Sequence, residues 1–308
     1  MTFTLLLIQI LNGAQYGVLL FLIAAGLTLV FGVMGFINLA HGVQYMIGAY
    51  LTFMFLSITG NFFVALLLGL ITALVLGLAL EVLIFRHLYD RDHLDQVLAT
   101  FGIILFVNEA VKVIWGPGTL TIPTPEILSA SLQLTDNLLY PVYRLSLIVV
   151  GIIVAAGLYL IVTKTRVGML IRAGATNADM VSALGVNIRR LFTIVFGFGA
   201  MLAGFAGALA APVFTIEPGM GDDLLIVAFV VIIIGGIGSI RGAFIAALLV
   251  GLIDTLGRTL ATDAMNLIFD ASAANQIGPS LASMLIYIFM AAVLFFRPQG
   301  LFPARGAV

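Results

Sequence analysis

Apolar runs of about twenty residues follow one another along the whole chain, separated by short punctuation of glycine, proline and charge, and a run of that length covers the roughly 30 Å of a bilayer's hydrocarbon as a helix. Nine such runs are legible, near 7–32, 40–59, 62–85, 96–115, 143–163, 191–211, 223–239, 243–261 and 280–296. Within this pattern, "FGVMGF" and "GGIGSIRG" break the apolar periodicity with glycine. Irregular backbone at membrane depth survives where protein or a watery cavity satisfies it, so some of the nine are expected to be half-helices that re-enter instead of crossing. The pattern predicts an all-α polytopic membrane protein.

Composition removes the competing classes. The 308 residues are 62% hydrophobic and 9% charged, with a mean hydropathy of +1.23, against about 25% charged for a soluble globular domain. The runs leave no room for a soluble domain. With no cysteine there is neither a disulfide framework nor a thiolate metal site, and a net charge of −1 argues against nucleic acid as a partner. The N-terminal segment has no basic region and no small-residue cleavage site, so it is expected to be a retained helix.

Charge distribution orients the spans. Of the 13 Lys and Arg residues, ten fall in four segments that nine spans would place on one side: Arg86 and Arg91; Lys164, Arg166, Arg172, Arg189 and Arg190; Arg241; Arg297 and Arg305. Cationic loops stay in the cytoplasm. The C-terminus is therefore expected inside and the N-terminus on the periplasmic side, with Lys112, Arg144 and Arg258 as exceptions near the outer face. Two approximate halves result, 1–115 and 143–297, joined by an outer loop at 116–142. That loop is rich in Pro, Thr and Ser and reads as an irregular cap.

The inner loop at 164–190, "KTRVGMLIRAGATNADMVSALGVNIRR", is too polar to span and too patterned to be a linker. Thr176 or Asn177 can cap a helix at about 177–184 that carries Asp179 in its first turn and ends at Gly185. Met180, Ala183 and Leu184 recur at helical spacing and form a small apolar face rimmed by cations. Such a face fits docking to another protein; the alternative is a helix lying on anionic lipid.

Polar residues inside apolar runs demand an explanation, because an unpaired polar group in hydrocarbon costs several kcal/mol. Asn38, His41 and Gln44 sit at the first glycine-rich break. They are candidates to line a watery path; the alternative is hydrogen bonding between helices. The segment from Gly204 echoes the one from Gly26: a small-residue helix, a break, then another helix. The span count runs the two in opposite directions, the signature of an inverted repeat with the path at its interface. Glu217, Asp222 and Asp223 occupy the matching break, where carboxylates near the outer surface are cheaply solvated. Glu81 is close enough to the inner boundary for interfacial pairing, and Glu109 can pair with Lys112; Asn108 and Asp254 also lie in or near spans.

The remaining motifs point to packing. Ala200, Gly204 and Ala208, with Ala203, Gly207 and Ala211 on the next stripe, let helix backbones approach closely. "GGIGSIRG" is not a phosphate loop, since no G-x-x-x-x-G-K-[ST] occurs and no strand precedes it; its glycines suit a tight helix break. His87 and His93 sit in a charged loop and are expected to be solvated. No nucleophile, base and oxyanion site assembles, so an enzyme is not expected.

Four collinear segments carry a resemblance: "GLTLVFGVMGFINLAHG" (26–42), "IRAGATNADMVSALGVNIRR" (171–190), "GGIGSIRGAFIAALLVG" (235–251) and "FRPQGLF" (296–302). Together they resemble the permease subunits of branched-chain amino acid ABC importers, and "INLAHG" is similar to the LivH-type subunit more than to its LivM-type partner. The resemblance implies a type II ABC importer-like permease of two inverted repeats in the bacterial inner membrane. It also implies a second, LivM-type permease, two cytoplasmic ATPases that bind the ATP, and a periplasmic substrate-binding protein, with no cofactor in this chain. On the same grounds Arg172, Ala173, Asn177, Ala183, Leu184, Gly185 and Asn187 match the ATPase-contacting loop, and Met180 joins them as a candidate through the apolar face. The break from Asn38 to Gln44 is similar to the family's unwound segment near the path, so Asn38, His41 and Gln44, with Glu217 from the matching break, are the candidate path residues. Leucine, isoleucine or valine is the expected substrate. The rival expectation is a secondary transporter of a small polar solute driven by an ion gradient, which would need a buried ion site.

Overall fold

The computed structural model describes residues 3–135 and 138–303; Arg305, part of the cationic C-terminal segment, lies outside them. Among the described residues eleven α-helices run in chain order: α1 (Phe3–Met34), α2 (His41–Thr59), α3 (Phe62–Leu83), α4 (His93–Trp115), α5 (Val142–Lys164), α6 (Arg166–Thr176), α7 (Ala178–Ala183), α8 (Ile188–Ala210), α9 (Asp222–Gly235), α10 (Ile240–Met265) and α11 (Ala271–Phe296). Eight are long and apolar enough to cross a membrane. The seventh apolar run is different. It forms α9, whose 14 residues span about 21 Å at 1.5 Å per residue, short of the hydrocarbon thickness. The glycines at 235 and 236 end that helix early, so the run predicted at 223–239 is a half-helix, whereas those at 243–261 and 280–296 are parts of full 26-residue helices.

The buried centre is built by α1, α2, α8 and α9, while α3, α4, α5 and α11 present apolar side chains outward. The small-residue stripes of α8 make this possible. Gly204 packs against the Gly48 backbone of α2, Gly207 against the Tyr45 carbonyl, and Gly199 against Gly26 of α1, where an added Cβ at Gly26 would lie 2.6 Å from the Gly199 oxygen. The stripes therefore serve internal packing.

At one end of the bundle lie the basic segments and the short helices α6 and α7; we call this the basic end. At the other lies the 116–142 connection, which departs from the irregular cap expected. It contains an antiparallel hairpin, β1 (Ser131–Thr135) paired with β2 (Leu138–Pro141), and a bridge from Leu120 to Ile216 that ties it to the chain after α8. Alternation of apolar residues at 132, 134, 138 and 140 supplies the strand period that Pro and Thr content conceals.

Two distant motifs clasp each other at the basic end. After α9 the chain turns through Gly236 (φ 99°) and Gly238 (φ 79°). The N–H groups of Leu301 and Phe302 donate to the carbonyls of Ile234 and Gly235 at 2.8 and 3.0 Å, satisfying acceptors that a helix C-terminus otherwise leaves open. Arg241 then lies over the Phe302 ring, 5.2 Å from its centroid. "GGIGSIRG" and "FRPQGLF" thus form one structural unit.

Candidate functional site

Two regions gather the residues singled out by the sequence. The first lies where α2 and α9 begin. The chain leaves α1 at Met34, turns back through Gly35 to Ala40 and starts α2 at His41; it leaves α8 at Ala210, loops through 211–221 and starts α9 at Asp222. The two starts meet inside the bundle. An added Cβ at Gly42 would collide with the Gly221 carbonyl, and one at Gly221 with the Gly42 carbonyl. Two helix N-termini, each with unsatisfied N–H groups and partial positive charge, therefore face one another beside mid-length α8.

Asn38, His41 and Gln44 all belong to this junction and are buried at 0%, 0% and 5% exposure. His41 donates from Nε2 to the Ile23 carbonyl at 3.1 Å, fixing the proton on that nitrogen because a carbonyl can only accept. Gln44 lies one turn along, beside the His41 ring, while both amide atoms of Asn38, Thr28 Oγ1 and Tyr50 OH make no hydrogen bond. A buried polar atom without a partner costs about 1–3 kcal/mol, so this cluster is an expensive feature to keep in a purely structural core.

The opposite break contributes unevenly. Asp222 accepts from Asn108 Nδ2 at 3.2 Å, linking α9 to α4, and Asp222 and Asp223 occupy the first turn of α9, where negative charge complements the helix. Glu217 is exposed in the loop before it, apart from the buried trio. Met46 Sδ accepts from the Gly219 N–H at 3.3 Å, joining the loop to α2. Asn108 and Asp222 are the residues that composition alone did not single out as a pair; only the packing of α4 on α9 brings them together.

The second region is the 164–190 loop, which holds two helices where one was expected. Thr165 caps α6 by accepting from the Gly168 N–H at 3.1 Å, and Asn177 caps α7 by accepting from Met180 N–H at 2.9 Å. Of the two proposed caps for the short helix, Asn177 serves; Thr176 ends α6, its hydroxyl bonded to the Arg172 carbonyl. Gly185 terminates α7 with φ 88°, and Asn187 caps α8. Arg172 donates to the Val162 carbonyl, fastening α6 to the end of α5. Ala173 is half-buried, whereas Met180 at 62% and Leu184 at 79% exposure project outward with Ala183 beside them. Val181, not part of the predicted face, is the residue that anchors α7 inward.

The base of this loop meets a buried carboxylate. Glu81 accepts from Arg86 Nη2 at 3.1 Å and from the Tyr89 hydroxyl at 3.1 Å, and the same Arg86 nitrogen donates to Thr193 Oγ1 on α8 at 2.9 Å. Interfacial pairing accounts for Glu81, as it does for Glu109 with Lys112 at 2.6 Å. His87 and His93 are exposed.

Comparison with known proteins bears on the whole chain. The family described as "Branched-chain amino acid transport system / permease component" matches residues 9–294. The "High-affinity branched-chain amino acid transport system permease protein BraD" of Pseudomonas aeruginosa is 30% identical over 305 residues, covering 95% of this chain and 94% of that protein. The corresponding protein LivH of Escherichia coli K12 is 30% identical over 270 residues, 80% of this chain and 84% of LivH. A "Probable branched-chain amino acid transport permease protein LivH" of Methanocaldococcus jannaschii is 29% identical over 258 residues, 80% of each chain. No solved structure matches.

Proposed function

The chain belongs to the family of permease components of branched-chain amino acid transport systems, and from that premise we propose that it forms one half of an amino acid path, opened and closed by ATP hydrolysis in separate subunits. It is a multi-pass membrane protein and a transport component. The substrate is taken to be a branched-chain amino acid, as the names of its relatives say of them. A second permease completes the path, two ATPases engage the basic end, and a binding protein delivers substrate at the hairpin end. ATP is bound by the ATPases, not by this chain. The basic end faces the cytoplasm, following the cationic bias.

In this account α7 is the contact. Its exposed apolar tip, Met180, Ala183 and Leu184, enters a groove on an ATPase, and α6, fastened to α5 through Arg172, passes the motion on. Rigid helices packed on small residues shift as bodies. The Glu81–Arg86–Thr193 bridge carries the displacement of α8 into α3. The facing starts of α2 and α9 form the gate, related as inverted repeats with the path at their junction.

The observation that carries the proposal is the buried polar cluster at the junction, Asn38, His41 and Gln44, in which both amide atoms of Asn38 have no hydrogen-bond partner. Groups of this kind become satisfied when the junction opens to water or substrate. Replacing Gln44 with Leu tests it. ATP-driven leucine uptake by the complete importer in liposomes is expected to fall at least tenfold while the protein's melting temperature is held or rises; unchanged uptake would remove Gln44 from the path.

A further inference from the structure

The hairpin end contains a pocket that the closed junction does not use. It has a volume of about 360 Å³ and opens between α1, α5, α10 and the loop after α8, within the range of small-molecule sites. Asn12, Arg144, Asp254 and Arg258 supply its polar wall, and Val213 and Phe214 its apolar one. Two of the charges cancel: Arg258 binds Asp254 with Nε and Nη2, both at 2.9 Å. Arg144 does not take part in any ion pair among the described residues. It is half-buried and donates from Nη1 to Asn12 Oδ1 at 3.1 Å, beside Tyr140, whose hydroxyl donates to the same oxygen at 3.0 Å. A guanidinium has five N–H donors in a planar fork suited to a carboxylate. The pocket thus holds an oriented cation with donors to spare, a carboxylate whose two oxygens can accept further bonds, and an apolar surface.

We propose that this pocket is the first docking subsite for substrate, a zwitterionic amino acid with an apolar side chain: its carboxylate on Arg144, its ammonium on Asp254, its side chain against Val213 and Phe214. The inference rests on the importer reading above. A zwitterion places its carboxylate on Arg144 and its ammonium against the Asp254 oxygens, whereas a simple amine meets Arg144 with like charge and a simple acid brings no donor to those oxygens. The pocket lies at the end opposite α7, where substrate enters if α7 faces the ATPases.

The test is saturation-transfer NMR on the full-length chain in nanodiscs, with leucine at millimolar concentration as the probe. Wild-type protein is expected to transfer saturation to the leucine methyl protons. Leucinamide, which lacks the carboxylate, and 4-methylpentanoate, which lacks the ammonium, should bind at least tenfold more weakly, as should leucine to R144Q. Equal binding of leucinamide and leucine, or no leucine signal with wild-type protein, overturns the subsite. So does undiminished binding to R144Q. Should R144Q fail to fold because Asn12 loses its partner, the ligand series on wild-type protein decides alone. ATP-driven uptake separates the two readings: leucine import by the complete importer with an unchanged KM in R144Q sinks the subsite and leaves the importer, whereas absence of any ATP-dependent amino acid import by the wild-type complex sinks the importer.

Discussion

Gly42 and Gly221 meet backbone to backbone, each occupying the space that a Cβ on the other would need. Neither has positive φ, so both are glycine for room alone. Gly42→Ala or Gly221→Ala inserts a methyl between two helix starts that have no flexible side chain to yield. Overpacking of this kind costs about 1–3 kcal/mol. Gly102→Ala on α4 is the control, since nothing lies within 4 Å of its Cβ and helix propensity favours alanine by up to about 1 kcal/mol. Thermal unfolding of the detergent-solubilised protein is expected to show a lowered midpoint for the first two variants and none for the third; equal behaviour of all three would deny that the two helix starts touch.

Tyr89 makes the protein sensitive to alkali. Burial first, then the neighbouring Glu81 charge and the hydrogen bond to it, raise its phenol above the ordinary value. The unfolded chain loses that proton near pH 10, while the folded chain holds it to higher pH. The stabilisation is therefore complete below about pH 10 and is lost as pH climbs beyond it. Tyr140, raised by burial, adds in the same direction. Tyr89→Phe should cost about 1 kcal/mol at neutral pH and flatten the decline above pH 10 in a stability profile measured by denaturation. A decline as steep as the wild type's would assign it to other groups.

Gly300 holds the C-terminal segment against the end of α9. Its φ of 82° and the approach of Gly236 N, 2.5 Å from an added Cβ, both exclude a side chain. Gly300→Ala should cost about 1–2 kcal/mol from the left-handed backbone alone and release the caps on Ile234 and Gly235. Hydrogen exchange at the Leu301 and Phe302 amides is the readout; protection equal to wild type would show that the clasp does not depend on this turn.

How far the sequence reaches is visible in particular residues. Long apolar runs and the two glycine breaks are legible because spanning requires length and breaking requires glycine. Asn177 and Gly185 mark the ends of α7 by local chemistry. The length of α9 is not legible, because residues 223–235 are as apolar as a full span and only the meeting of Gly42 with Gly221 shows where it begins. The hairpin at 131–141 is masked by Pro and Thr around it. Asn108 with Asp222, and Arg144 with Asn12, are separated by 114 and 132 positions, so no local pattern could pair them. Glu217 shares a break with Asp222 yet stays exposed, a distinction set by tertiary packing.

The central claim is that α7 joins this chain to a nucleotide-driven partner, and the lack of native cysteine allows a direct measurement. Leu184→Cys places a single thiol on the exposed tip. In the complete importer carrying that variant, a short bifunctional crosslinker is expected to join the chain to an ATPase subunit, with a yield that changes when ATP is bound, and deletion of 176–186 should abolish ATP-driven leucine uptake without preventing membrane insertion. Crosslinks confined to lipid, or leucine uptake by the purified chain in liposomes without any ATPase, would contradict the account.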